Sequence, residues 1–265
     1  MQLTTQQQEF ATHGVTLLKN VFTDWMPILQ AGVEFNMSSP GEFGREYTAD
    51  GDGGRFFGDY CNWNRIPEYK QFMFESPAAA IAAHLMQSKT ARIFHEHVLV
   101  KEPGTDHPTP WHHDQPYYCM DGTQGISLWI PLDPVSRDVC PEFIAGSHRW
   151  GRWFRPRKFS GVDYDHGDNR LETMPDINAS REEYDIRSWE LEPGDAIAFH
   201  FLTVHGAPSN LSSSTRRRGY AARWIGDDAV FAKRAGEISP PYPGLADKLK
   251  PGDPLNTEEF PQIYP

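Results

Sequence analysis

The chain has 265 residues, enough for one large domain, and its 36 acidic and 25 basic side chains give a net charge of −11. A charge of this sign disfavours a general role on nucleic acid or on an anionic membrane, and no apolar run approaches the length of a membrane span. The N-terminus lacks the basic and apolar segments of a secretory signal. Three widely spaced cysteines indicate reduced thiols. We expect a cytoplasmic monomer or homodimer without nucleic-acid or membrane partners.

The first ninety residues are predicted to be mostly helical. A short helix begins near residue 5 and is followed by a strand at 14–18, and a second helix ends near residue 36. Apolar residues at helical spacing predict two further helices between residues 67 and 87, and the Ser76-Pro77 pair within this range favours the start of the second helix. This part of the chain is expected to support a sheet.

The pattern changes to short strands after residue 91. Strand-like runs occur at 92–101, 125–132, 142–145, 196–201 and 217–225, and Pro/Gly turns separate them. Strands without intervening helices favour an antiparallel barrel or jelly roll over a parallel α/β sheet. We therefore predict a mainly β fold with flanking helices (α+β). The predicted organisation is a single domain, with helical support at 1–90, a core at 91–230 that contains an insertion at about 155–190, and a coil-rich tail at 231–265.

A His-x-Asp motif at 112–114 gives the predicted core its chemistry. Alternate side chains of an extended strand share one face, so His112 and Asp114 are expected to point one way and His113 the other. An imidazole and a carboxylate on one face are two of the three ligands of the 2-His-1-carboxylate arrangement that binds non-haem Fe(II). The third ligand is assigned to His205, which follows a predicted strand and precedes Gly206, where the backbone can approach a ligand closely.

Other interpretations compete with this one. A second motif, His166-Gly167-Asp168, lies in a polar turn without a strand pattern and is the weaker candidate. Arg216, eleven residues after His205, offers a planar guanidinium that can pair with the far carboxylate of a dicarboxylate cosubstrate. Two other functions remain open, namely a cupin-like hydrolase that uses the same triad with a metal such as zinc, and a non-catalytic metal- or small-molecule-binding module on the same fold.

Residues 99–225 resemble the phytanoyl-CoA hydroxylase (phytanoyl-CoA dioxygenase) family of Fe(II)/2-oxoglutarate-dependent oxygenases. The resemblance rests on four motifs together: LVKEPG at 99–104, WHHDQ at 111–115, VCPEFIAGSH at 139–148, and His205 with Asn210 and Arg216. It implies a double-stranded β-helix with a cupin-like, jelly-roll core. It also implies His112, Asp114 and His205 as iron ligands, and Arg216 as the partner of the C5 carboxylate of 2-oxoglutarate.

The resemblance extends to neighbours of the site. It places Tyr118 beside the metal and Trp129 against the cosubstrate, although both could be core aromatics. By strand parity His97 could face the cofactor and Arg218 an anionic substrate, with a core histidine and a solvated charge run as the alternatives. The retained Asp114 favours hydroxylation over halogenation. The implied reaction uses O2 and 2-oxoglutarate to hydroxylate or otherwise oxidise a C–H bond of a small-molecule substrate, with release of succinate and CO2.

Overall fold

A computed structural model describes residues 3–48, 53–155 and 171–265. The helices are α1 (Thr4–His13), α2 (Met26–Ser38), α3 (Pro67–Glu75), α4 (Ala78–Met86) and α5 (Leu245–Lys248). The strands are β1 (Val15–Leu18), β2 (Arg45–Glu46), β3 (Phe56–Tyr60), β4 (Ala91–Lys101), β5 (Thr109–His112), β6 (Met120–Asp121), β7 (Gly125–Pro131), β8 (Glu142–Ile144), β9 (Ile186–Arg187), β10 (Ala196–His200), β11 (His205–Ala207), β12 (Arg217–Ile225), β13 (Val230–Phe231) and β14 (Gln262–Tyr264).

Two antiparallel sheets enclose one cavity. The larger sheet has the order β1-β10-β7-β12-β4-β3-β2, with β14 also paired to β4, and the smaller sheet has the order β5-β11-β8-β9. Side chains of both sheets line the cavity, which has a volume of about 390 Å³. The architecture is the predicted jelly roll, mainly antiparallel sheet with a few helices.

The central strand β12 separates the core from the cavity. Its residues Tyr220 and Trp224 belong to one apolar cluster with Phe72 of α3, whereas Arg217 and Arg223 line the cavity. Successive side chains of a strand point to opposite faces. The helical layer therefore fixes the outer face of the sheet, and the inner face is left for chemistry.

The core strands predicted at 92–101, 125–132, 142–145, 196–201 and 217–225 are confirmed as β4, β7, β8, β10 and β12. The C-terminal tail is mostly irregular, but β14 pairs with β4 and Phe260 stacks on Phe94 at 5.6 Å. The second His-x-Asp motif, at 166–168, lies outside the described residues. Among the described residues, no helix combines the length and the hydropathy that a membrane crossing requires.

Candidate metal centre

Three candidate ligands converge at the cavity. His112, Asp114 and His205 each offer one ligand atom, and these atoms lie within 4.8 Å of one another. Nε2 of His112 is 3.4 Å from Oδ1 of Asp114, and Nε2 of His205 is 3.8 Å from the same oxygen. The pairing of β11 with β5 sets His205 directly opposite His112. Two imidazole nitrogens and one carboxylate oxygen are the donor set of the facial triad.

Both imidazoles are oriented by carbonyls of their own chain segments. Nδ1 of His112 donates to the Pro110 carbonyl at 2.8 Å, and Nδ1 of His205 donates to the Thr203 carbonyl at 2.9 Å. Because a carbonyl only accepts, each Nδ1 carries a proton, and Nε2 is the ring nitrogen left free to face a metal. Burial lowers the pKa of His205 to about 3. The rings are therefore held in the tautomer that binds a metal through Nε2.

Asp114 reaches the site by a turn, which corrects the strand-parity argument. β5 ends at His112, and Asp114 has right-handed helical backbone angles (φ −79°, ψ −40°) before the 3-10 turn Gln115–Tyr117. Its backbone N–H donates to the Phe201 carbonyl at 2.9 Å. This hydrogen bond ties the turn to the segment that leads into His205.

His113 points away from the candidate ligands, as predicted. Its Nε2 accepts the backbone N–H of Phe154 at 2.9 Å, and its ring lies 5.2 Å from the Phe154 ring. Burial lowers the pKa of His113 to about 4. His113 is therefore a neutral, hydrogen-bonded core histidine, and it does not compete with His112.

The Asp114 carboxylate is held by three side chains. The Tyr117 hydroxyl donates to Oδ1, the Tyr118 hydroxyl donates to Oδ2 at 3.0 Å, and Nη2 of Arg223 lies 3.5 Å from Oδ2. Burial acts to raise the pKa of Asp114, but the Arg223 guanidinium and the neighbouring histidines hold it well below its usual range. The carboxylate is thus ionised and fixed in orientation.

Three further residues singled out in the sequence line the same cavity: His97, Tyr118 and Trp129. His97 contacts the Tyr60 ring edge-on at 5.4 Å, and burial lowers its pKa to about 3. Trp129 lies opposite Ala221 of β12. These side chains form walls beside the candidate ligands.

Arg216 and Arg218 do not reach the cavity, which corrects both assignments. Each guanidinium pairs with Glu34, at 2.7 and 2.8 Å, and Arg218 also pairs with Asp133 at 2.7 Å. β12 begins at Arg217, and strand alternation turns Arg217 inward and its two neighbours outward.

Arg217 and Lys101 are cavity residues that the sequence analysis does not identify. They lie opposite each other on β12 and β4. Lys101 donates to the Pro208 carbonyl at 3.2 Å, and Arg217 donates to the Val139 and Pro208 carbonyls. In the described ranges neither has a carboxylate partner. Burial lowers the pKa of Lys101 to about 6 and that of Arg217 to about 10, as expected of cations that lack a counterion.

The segment before His205 depends on a buried histidine, which leads to a testable prediction. Nδ1 of His200 accepts the Leu202 N–H at 2.9 Å, Nε2 donates to the Thr123 carbonyl at 2.7 Å, and burial lowers the pKa of His200 to about 4. The unfolded chain takes up this proton near pH 6.5, so the free energy of unfolding should fall as pH drops from about 6.5 to about 4. Urea denaturation at several pH values in this range measures the free energy of unfolding. Its decrease with falling pH should be smaller for His200→Gln than for the wild type.

The matched control is His84→Gln, because His84 is exposed on α4. We expect the free energy of unfolding of this variant to depend on pH as it does in the wild type. The same pH dependence in His200→Gln and the wild type would contradict the prediction.

Two comparisons of the sequence with known proteins agree with this geometry. The phytanoyl-CoA dioxygenase (PhyH) family profile matches residues 43–219, well over half of the chain. A phytanoyl-CoA dioxygenase of Arabidopsis thaliana is 30% identical over 151 residues, which are 57% of this chain and 50% of the relative. The chain thus spans about half the length of this curated relative.

Solved structures share the fold. The non-haem α-ketoglutarate-dependent carbocyclase SnoK from nogalamycin biosynthesis has a TM-score of 0.75 at 22% identity, with 97% of this chain and 94% of that chain covered. The epimerase SnoN from the same biosynthesis has a TM-score of 0.75 at 22% identity, with 99% and 96% covered. EctD from S. alaskensis, solved with 2-oxoglutarate and 5-hydroxyectoine, has a TM-score of 0.67 at 17% identity, with 95% and 84% covered. From its family profile, the chain belongs to the phytanoyl-CoA dioxygenase family.

Proposed function

We propose that the protein is an Fe(II)- and 2-oxoglutarate-dependent dioxygenase that oxidises a C–H bond of a small molecule. The observation that carries this proposal is the convergence of His112, Asp114 and His205 within 4.8 Å at the cavity. When bound, iron and 2-oxoglutarate supply the activation of O2, with release of succinate and CO2. Family membership and the cosubstrate named for the structural neighbours support the same function.

The residues present fit an iron ion. Two imidazole nitrogens and an ionised carboxylate suit Fe(II), and hydrogen bonds to the Pro110 and Thr203 carbonyls fix both rings before any metal binds. We assign His112, Asp114 and His205 as the ligands. The Tyr117 and Tyr118 hydroxyls hold the carboxylate so that it does not need to reorient on metal binding.

The residues also fit a dicarboxylate cosubstrate. Arg217 and Lys101 are adjacent cations in the cavity wall, and a carboxylate between them supplies the counterion that both lack. Gly219, on the same face of β12, lets the Trp129 ring pack close to the backbone, since a Cβ at this position would lie 2.5 Å from Nε1 of Trp129. We assign Arg217, with Lys101, to the C5 carboxylate in place of Arg216, and Trp129 to the wall beside the cosubstrate.

The cavity limits the access of water to the ligands. The Phe199 and Phe143 rings lie 4.6 and 5.7 Å from the His205 ring. Only 14% of the His112 side chain and 11% of the His205 side chain remain exposed. A substrate that enters this space displaces the remaining water and completes a dry site, which strengthens the electrostatic interactions inside it.

The test is an anaerobic titration of the Fe(II)-loaded protein with 2-oxoglutarate. Bidentate chelation should give a weak visible charge-transfer band that saturates with cosubstrate, and admission of O2 should then yield succinate that depends on iron. Iron binding without the band would contradict the dioxygenase assignment. Hydrolytic turnover with Zn(II) and no effect of 2-oxoglutarate would instead support the cupin-like hydrolase, although a hydrolase does not explain the Arg217–Lys101 pair.

The domain organisation, the location and the oligomeric state of the protein are also proposals. We infer a single domain that works in the cytoplasm as a monomer or homodimer, as the length and composition indicate. Size-exclusion chromatography with light scattering measures the oligomeric state directly. A larger assembly would contradict the inference without affecting the metal site.

A further inference from the structure

We propose that the substrate carries an acidic group, a carboxylate or a phosphate, and that Arg223 binds this group beside the metal ligands. The inference rests on the proposed function and names the substrate class of the same cavity. Arg223 is the seventh residue of β12, and Arg217 is the first. Their Cα atoms are therefore roughly 20 Å apart along the strand, so Arg223 marks a different part of the cavity from the cosubstrate anchor.

Arg223 lies in a cross-strand row of polar side chains that are not fully hydrogen-bonded. It pairs in register with His95 of β4 and with Ser127 of β7. Among the described residues, Nε and Nη1 of Arg223, Nδ1 of His95 and Oγ of Ser127 are buried without a hydrogen-bond partner. Arg223 and His95 also line the cavity. Buried polar groups without partners are costly and usually have a functional reason.

The charge balance at the metal end points to an anion. Iron(II) carries two positive charges, which the Asp114 carboxylate and the metal-end carboxylate of 2-oxoglutarate cancel. Arg217 takes the other carboxylate of the cosubstrate. Lys101 lies opposite Arg217 and faces the same carboxylate. Asp114 then divides its single negative charge between the metal and Arg223. The buried guanidinium is therefore only partly neutralised, a costly arrangement that an acidic substrate group relieves.

The other charged side chains of the cavity wall are also positive. The Lys and Arg side chains that line the cavity are Arg45, Lys101, Arg217 and Arg223, and in the described ranges no carboxylate belongs to its lining. This contrasts with the net charge of −11 for the chain. Arg45 is exposed, and within the part of the chain that the structure describes its guanidinium donates to the Glu42 and Gly44 carbonyls, at 3.3 and 2.7 Å. A cationic cavity in an acidic protein selects anions and attracts them to its mouth.

The position of Arg223 also restricts where the substrate is oxidised. Its Nη2 lies 3.5 Å from Oδ2 of the metal ligand Asp114. An acidic group bound to this guanidinium brings the adjoining carbons close to the metal. The oxidised C–H bond is therefore only a few bonds away from the acidic group.

The test compares carboxylates with their neutral amides on the anaerobic holoenzyme, loaded with Fe(II) and saturated with 2-oxoglutarate. Isothermal titration calorimetry would measure the binding of formate, acetate and benzoate, and of formamide, acetamide and benzamide. We expect the acids to bind roughly tenfold or more tightly than the amides. Arg223→Gln should remove this preference, and Arg223→Lys should keep it. Arg216→Gln is the matched control and should behave like the wild type, because Arg216 pairs with Glu34 outside the cavity.

Two results would overturn the inference. One is a wild type that binds acids and amides equally, a comparison that needs no variant and so does not depend on the folding of Arg223→Gln. The other is an Arg223→Gln protein that keeps the preference for acids but needs far more 2-oxoglutarate to develop the visible band, since Arg223 would then serve the cosubstrate. Failure of the proposed function looks different, because the wild type would then show no 2-oxoglutarate-dependent band at all.

Discussion

Replacing Asp114 with alanine should abolish iron binding and lower the free energy of unfolding by roughly 3–5 kcal/mol. The substitution removes the only carboxylate of the triad. It also leaves Arg223 buried without the negative charge that lies 3.5 Å from its Nη2, and it removes the acceptor of the Tyr117 and Tyr118 hydroxyls. Iron equivalents after anaerobic loading and desalting measure the first effect. Urea denaturation of the metal-free proteins measures the second.

The control for this prediction is His113→Gln, which changes a residue of the same segment. His113 accepts the Phe154 N–H at 2.9 Å on the side away from the ligands. We expect this variant to bind a full equivalent of iron and to lose about 1 kcal/mol of stability from the disturbed hydrogen bond. Full iron content in Asp114→Ala, or loss of iron in His113→Gln, would refute the ligand assignment.

Arg217→Gln should weaken 2-oxoglutarate binding by about 2 kcal/mol or more, which is roughly 30-fold. The guanidinium is buried and has only carbonyl partners among the described residues, so a cosubstrate carboxylate is its natural counterion. Removing the charge leaves that carboxylate poorly paired in a site of low polarity. The anaerobic charge-transfer titration measures the dissociation constant directly.

Arg216→Gln is the neighbouring control. Its guanidinium already pairs with Glu34 at 2.7 Å outside the cavity, so its loss should change the 2-oxoglutarate dissociation constant by less than about twofold, as for an exposed ion pair. Thermal unfolding of both variants checks that the fold is intact. A large loss of affinity in Arg216→Gln, with none in Arg217→Gln, would restore the assignment made from residue spacing.

The sequence was sufficient for the strands because their ends are marked locally. Proline or glycine marks at least one end of the runs that became β4, β7, β10 and β12, and alternation of side chains requires no distant information. The assignment of His205 to the same site as His112 rested on its place after a predicted strand and was strengthened by the family resemblance, since pairing of β5 with β11 joins segments far apart in the chain. Spacing alone does not specify that pairing.

The errors at the site have two physical causes. The side to which a residue points depends on where its strand begins, and β12 begins at Arg217, so a count of eleven residues from His205 stops one residue short. Gly219 lies on the same face of β12 as Arg217. This small residue was the sequence feature that could have indicated that Arg217, and not Arg216, faces the cavity. Asp114 was placed on a strand that in fact ends at His112. The contact of Arg223 with Asp114 joins distant parts of the chain, and no local pattern predicts it.

The two ring-orienting hydrogen bonds have a consequence for the evolution and redesign of this site. Each candidate ligand histidine is aligned by the carbonyl two residues before it, Pro110 for His112 and Thr203 for His205. The orientation of the rings is therefore encoded within two short peptides, whereas β3, β4 and β12 supply many of the other polar side chains of the cavity wall. Wall residues such as Tyr60 or His97 can change without turning the ligands. Substrate range can thus diverge while the metal chemistry is inherited intact.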